Sequence, residues 1–202
     1  MSPPAPEASP ALLAGWMGQV QSRLQARVPR PAVAAGPGLR RAGVLAPLFV
    51  RDGRLWILFT LRTETVEHHR GQFSFPGGGE EPGDASLWDT ALREAEEEIG
   101  LKREDVIALG SLSPLVTVTS FYVEPYVAAI PQPYVFRPHA AEIAEVLEVP
   151  VASLMNPDIL EKRTLPGREE LILFYHYEGR VIWGATARML EELLGALRGP
   201  EL

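Results

Sequence analysis

A layered sandwich of helices on a β-sheet, α/β or α+β in class, is predicted for this chain by three observations. β-rich runs alternate with two or three stretches of helical spacing, Gly and Pro clusters punctuate them, and the length suits one core. With 202 residues, 46% hydrophobic and 22% charged, the chain fits one globular domain with a short arm. The same composition excludes collagen-like, coiled-coil and wholly disordered chains, and no internal repeat is visible.

Residues 1–37 hold seven of the 19 prolines and much alanine around one helical pattern, Leu12, Leu13, Trp16, Val20 and Leu24. They read as a Pro/Ala-rich arm with one helix, used for packing or for an oligomer contact such as a homodimer, ahead of a main domain over residues 38–198. From Arg41 the period shortens. Ala42–Val50 and Leu55–Leu61 read as strands joined by a hairpin at Arg51, Asp52, Gly53 and Arg54. Arg62–Gly83 ends in Pro76, Gly77, Gly78, Gly79, Pro82 and Gly83 and reads as loop. A helix follows, with Asp84 or Ser86 as N-cap, Gly100 as stop, and Leu92, Ala95 and Ile99 on one apolar stripe. Further strands are predicted at Val106–Leu112, Phe121–Ile130, Val146–Val149, Leu160–Thr164 and Leu171–Tyr177, and a last helix from about Thr186 to Leu197.

Charge narrows the function. Nineteen Lys and Arg against 26 Asp and Glu, a formal net charge of −7, argue against nucleic acid or a membrane surface as partner and for a small-molecule substrate. The absence of cysteine excludes disulfides, thiolate zinc sites and cysteine nucleophiles. No Lys or Arg precedes Arg23, no run of about 18 apolar residues occurs, and the chain ends in neither a KDEL-type nor an SKL-type address, so a cytoplasmic protein is expected.

The acidity is concentrated: eight Asp or Glu and a single Arg lie between Glu80 and Glu98. A helical turn of about 100° per residue puts Glu97 and Glu98 within about 60° of Glu94, and Glu96 about 200° away. Like charges at these spacings repel, and a divalent cation among them would remove the repulsion. Oxygen ligands without Cys favour Mg²⁺ or Mn²⁺, ions that commonly bridge carboxylates to phosphates, so a phosphorylated substrate is expected. The bland alternative is a solvated acidic face.

The run Arg93, Glu94, Ala95, Glu96, Glu97, Glu98, Ile99, Gly100, Leu101 resembles the R-E-U-x-E-E-x-G-U half of the Nudix box, where U is aliphatic, at all nine positions. Upstream, Gly78 and Asp84 have the box's first spacing with Asp for Glu, but eight residues instead of seven separate Asp84 from Arg93. Ala85 holds the strictly spaced position, and Asp84 is not assigned a metal. Leu58–Gly78 also resembles the segment that marks the coenzyme A pyrophosphatase branch, through Leu58, Thr60, Arg62, His69, Gly71, Gln72, Phe75, Pro76, Gly77 and Gly78. Phe59, Thr63, Val66 and Phe73 are mild departures, and Glu67 replaces the branch's Arg. Looser likeness reaches Glu145–Pro150 and Ile182–Ala187.

The resemblance implies a Nudix α/β/α sandwich with a mixed sheet and hydrolysis of a nucleoside diphosphate derivative by water. It implies that Glu94, Glu97 and Glu98 bind Mg²⁺ or Mn²⁺, with Glu97, Glu98 and Arg93 catalytic, Arg93 by orienting a ligand carboxylate. Arg62, His69, Gly71, Gln72, Gly77 and Gly78 form the implied substrate-binding set. Arg62 is either a phosphate contact or a salt-bridge partner, His69 either a phosphate ligand or a local cap, and His68 structural. Trp183 is assigned to the core ahead of the pocket. The proton acceptor is Glu97 or Glu98, with Glu142 or Glu145 as loop alternatives. Coenzyme A or an acyl-CoA is the first substrate, another derivative such as ADP-ribose, NADH or a dinucleotide the second, and a non-catalytic nucleotide-sensing module the third reading.

Overall fold

A computed structural model describes residues 10–28, 30, 34–63, 72–164 and 171–198. Helix α1 (Pro10–Ala26) comes first, followed by the hairpin of β1 (Arg40–Arg51) and β2 (Arg54–Arg62). Asp52 and Gly53 both take positive φ, 52° and 70°, which matches the twist of a two-residue hairpin turn. Two short strands, β3 (Phe73–Ser74) and β4 (Gly77–Gly79), follow inside the stretch read as loop, and then helix α2 (Leu87–Ile99). The chain continues through β5 (Ile107–Ser111), β6 (Leu115–Val116), β7 (Phe121–Ala129) and β8 (Ile143–Pro150) to the short α3 (Val151–Leu154). A second hairpin set, β9 (Leu160–Thr164), β10 (Leu171–Tyr177) and β11 (Arg180–Trp183), leads into α4 (Gly184–Leu197).

Among the described residues β1 to β8 form one mixed sheet. β1 is its axis: it runs parallel to β7 and antiparallel to β2 and β4. β1 meets β2 over Leu48–Arg51 and β4 over Ala42–Val44, so the two long strands diverge and β3 and β4 fill the wedge. That wedge faces the carboxylates of α2.

The sheet's faces are covered differently. Helix α2 lies on one face, with Ala91, Ala95 and Ile99 against Leu45, Phe49 and Leu58. Contact is close enough that a Cβ on Gly43 would stand 2.0 Å from the Leu87 carbonyl oxygen, so β1 needs a glycine where the helix crosses it. On the other face α1, α4 and the three-stranded sheet bury a larger apolar core that includes Phe59, Val127, Leu190 and Leu193. Each such side chain withdrawn from water contributes about 1.5–3 kcal/mol. Trp16, Val20 and Leu24 of α1 belong to this same core, and Arg23 Nη1 donates to the Leu197 carbonyl at 2.7 Å.

Several expectations need correction. Strand β11 escaped the sequence reading, although Glu178 and Gly179 at positive φ make its turn from β10. Trp183, expected in the core, is 37% exposed and stacks on Phe174 across the β10–β11 pair. Helix α4 starts at Gly184, two residues before the expected Thr186. Among the described residues no helix is long and apolar enough to cross a membrane.

Candidate active site

Ser86, not Asp84, caps α2: its Oγ accepts the Asp89 amide at 3.2 Å. At the other end the Gly100 amide returns to the Glu96 carbonyl. With the apolar stripe held against β1, the helix can present only one edge to the wedge, and Glu94 and Glu98 lie on it. Glu96 and Glu97 are exposed.

Arg93 ties this helix to the loop before it. Its Nε and Nη2 donate to the two oxygens of Asp84 at 3.1 Å each, and Nη2 also donates to the Gly79 carbonyl at 2.9 Å. Its Nη1 donates to Glu94 Oε1 at 2.9 Å and Glu97 Oε2 at 3.2 Å. Asp84 accepts as well from Thr90 Oγ1 and from the Glu81 amide. The Arg93 hydrogen bonds hold the Asp84 carboxyl far below the usual carboxylate range. Asp84 is therefore the anchor of Arg93, a role the sequence reading did not assign, although Asp84 had the box's first spacing from Gly78.

Glu98 is the most enclosed carboxylate of the set, its side chain 3% exposed. Oε1 accepts from Arg62 Nη1 at 2.7 Å and Oε2 from the Gly77 amide at 3.2 Å. Burial pushes its pKa up to about 7, opposed by Arg62 and reinforced by the negative charge of Glu94. Burial also raises the Glu94 pKa against the pull of Arg93. Gly78 is the floor beneath Glu94: a Cβ there would lie 2.4 Å from the carboxylate. Arg62 Nη2 reaches Glu142 Oε2 at 3.5 Å, and His139 Nδ1 lies 3.3 Å from Glu142 Oε1. The main chain fixes that segment, because the His139 amide donates to the Glu98 carbonyl and the Thr63 amide to the Glu142 carbonyl, both at 2.8 Å.

Arg62, Arg93, Glu94, Glu98, Gly77 and Gly78 thus meet in one place, with Glu97 at the rim through Arg93. The Gln72 carbonyl accepts the Arg62 amide at 3.2 Å, which joins β3 to the same corner. His68, His69 and Gly71 lie outside the described residues, as does Glu67. Glu145 is turned to Arg180, with Nη2 2.6 Å from its Oε1. Among the described residues no three His, Cys, Asp or Glu side chains converge as a ready metal cage. Guanidinium groups stand there instead: Arg93 between Glu94 and Glu97, and Arg62 on Glu98. The donor set is nonetheless all oxygen, one member is buried, and each carboxylate already holds a cation, which fits a hard divalent ion.

A family model, the NUDIX domain, matches residues 39–172. The class is therefore a pyrophosphatase that hydrolyses nucleoside diphosphate derivatives. The chain is 33% identical over 174 residues to an uncharacterized Nudix hydrolase NudL of Photorhabdus laumondii subsp. laumondii, covering 85% of this chain and 92% of that one. It is 38% identical to the uncharacterized NudL of Cronobacter sakazakii over 76% of this chain and 81% of that one. Among solved structures it is similar to the Nudix hydrolase RenU of M. smegmatis, with TM-score 0.55 and 17% identity over 81% of this chain and 88% of that one. The MutT protein of Methanosarcina mazei Go1 gives TM-score 0.52 and 18% identity over 81% of this chain and all of that one, 100%. The chain belongs to the Nudix hydrolases, which generally use divalent metal ions.

Proposed function

We propose that this Nudix hydrolase cleaves the pyrophosphate of coenzyme A or an acyl-CoA, giving 3′,5′-ADP and 4′-phosphopantetheine or its acyl derivative. One observation carries the reading: residues of the branch-marking segment, Arg62, Gly77 and Gly78, lie against Glu94 and Glu98 of α2, and the Gln72 carbonyl holds the Arg62 main chain. In this reading Glu94, Glu97 and Glu98 hold Mg²⁺ or Mn²⁺. When bound, the ion neutralises the pyrophosphate and makes a water molecule more acidic. Arg93 keeps Glu94 and Glu97 oriented from its anchorage on Asp84 and the Gly79 carbonyl. Arg62 presents positive charge to the phosphate oxygens, and the Gly77 amide fixes Glu98 from the opposite side. In this reading Glu97 or Glu98 takes the proton of the attacking water, and Glu142, which contacts Arg62, is the loop alternative. His69 and Gly71 complete the substrate-binding set.

The alternative, another nucleoside diphosphate derivative such as ADP-ribose, NADH or a dinucleotide, is favoured by one feature, the Glu67 that replaces a basic residue of the branch. Incubation of the purified protein with coenzyme A and Mg²⁺ or Mn²⁺, beside a chelated control, tests the proposal by chromatography with mass detection. Metal-dependent 3′,5′-ADP and 4′-phosphopantetheine are the expected products. Cleavage of ADP-ribose or NADH at least about tenfold more efficiently than coenzyme A would overturn the substrate assignment.

A further inference from the structure

Arg62 stands between two carboxylates that approach the site from different elements. Its Nη1 is 2.7 Å from Glu98 Oε1 and its Nη2 is 3.5 Å from Glu142 Oε2. The partners are unequal: the Glu98 side chain is 3% exposed and that of Glu142 is 43% exposed. A guanidinium keeps its charge throughout the accessible pH range, and its fork serves two acceptors at once. A carboxylate oxygen that takes a dication gives up one of its two lone pairs, and a guanidinium held on the same oxygen is then repelled by the dication's charge.

We infer that Arg62 is an exchangeable counter-cation: it neutralises Glu98 while the site holds no dication, then yields that carboxylate, pivots onto Glu142 and turns its free N–H groups to the substrate pyrophosphate. The inference rests on reading Glu94, Glu97 and Glu98 as the metal-holding set. Three observations support it. Glu98 is only 2% exposed, so while it is ionised its charge is balanced by a neighbouring cation and not by solvent. Glu142 is already within reach of Nη2, so the pivot requires new side-chain torsions and no movement of β2. The acceptor also stays in place, because the Glu142 amide and carbonyl are bonded to His139 and Thr63.

Arg93 provides the contrast. It is fastened to Asp84 and the Gly79 carbonyl, both outside the carboxylate set, and can keep those bonds when Glu94 and Glu97 turn away. One arginine is fixed and the other is released. The consequence is cooperativity: the dication frees Arg62 for the substrate, and by reciprocity the substrate's hold on Arg62 favours the dication.

The test measures Mn²⁺ binding to metal-free protein, without nucleotide, by calorimetry on wild type, Arg62→Ala and Glu98→Gln. A second arm follows the ¹⁵N side-chain resonance of Arg62 in the wild type while Mg²⁺ is added. Removal of Arg62 is expected to tighten Mn²⁺ about fivefold or more, because a competitor is gone. The Arg62 resonance is expected to shift as Mg²⁺ saturates. Unchanged or weaker Mn²⁺ binding by Arg62→Ala, or an Arg62 resonance indifferent to Mg²⁺, overturns the inference. Should Arg62→Ala fail to fold, the wild-type resonance decides alone. Glu98→Gln separates this failure from that of the metal reading: undiminished Mn²⁺ binding in that variant means the metal assignment is wrong, whereas lost binding there without a gain in Arg62→Ala removes only the exchange.

Discussion

Helices α2 and α4, 13 and 14 residues long, are built for different tasks: α2 lies directly on β1 of the mixed sheet, and α4 packs on β10, β11 and α1 in the core on the other side. Along α4, Met189, Leu190, Leu193, Leu194 and Leu197 are all buried, and its N-cap Trp183 makes no side-chain cap bond. Helix α2 has a serine cap, packs mainly through small Ala91 and Ala95 with Leu87, Leu92 and Ile99, and gives one edge to glutamates. Under the proposed function, the difference separates stability and chemistry across the sheet. A helix that must hold like charges at close spacing gives up stabilisation that a helix on the far face supplies.

Substitutions on the two helices should therefore fail in different assays. Glu98→Gln keeps the shape and removes a charge that burial already disfavours, so turnover should fall at least about a hundredfold while the thermal midpoint moves less than in any α4 core variant. Steady-state kinetics beside calorimetry checks this, and a matching loss of stability would break the separation. Leu190→Ala, with its side chain fully buried, should cost about 2–5 kcal/mol in denaturant unfolding and leave kcat of the folded protein within about twofold.

Asp84→Asn tests the junction between the two tasks. The folded pKa of Asp84 lies below its unfolded value, so the stability it contributes is present above about pH 4 and is lost as pH falls through the folded pKa. The variant should melt about 2–4 °C below wild type at pH 7, and the gap should close progressively below pH 4 in scanning calorimetry. A gap independent of pH would mean that the Arg93 fork is not its source. Glu96→Gln is the smallest change expected, less than about threefold in kcat/KM, since Glu96 is exposed on another side of the helix. Equal losses in Glu96→Gln and Glu98→Gln would mean that the two carboxylates do not face different surroundings.

The parts of the molecule legible in the sequence are those set by local periodicity. Leu160–Thr164 and Leu171–Tyr177 are strands with the expected limits, and α2 ends at Gly100 because the cap residue is local information. Strand β11 was missed because Arg180–Trp183 is four residues long and borrows its definition from pairing with β10. The exposure of Trp183 depends equally on a partner, Phe174, nine positions earlier. In the site, helical rotation placed Glu94 and Glu98 on one edge, but the Arg62–Glu98 pair spans 36 residues and no spacing rule reaches that far. Nor does rotation alone tell that Glu97 stays at the rim, since that depends on the depth of the wedge.

The fastening of Arg93 also bears on how the loop ahead of α2 tolerates changes in length. Asp84 is one methylene shorter than the glutamate of the usual box and stands one residue further from Arg93, yet both of its oxygens meet the guanidinium. It does so because it lies before the Ser86 cap, outside the helix, where the backbone is not bound to a fixed rise per residue. What this corner of the molecule must preserve is a ring closed by Arg93, which bonds both the Gly79 carbonyl and the Asp84 carboxylate while the chain from 79 to 84 completes it. Residues can be gained or lost along the exposed side of that ring, provided its ends still meet.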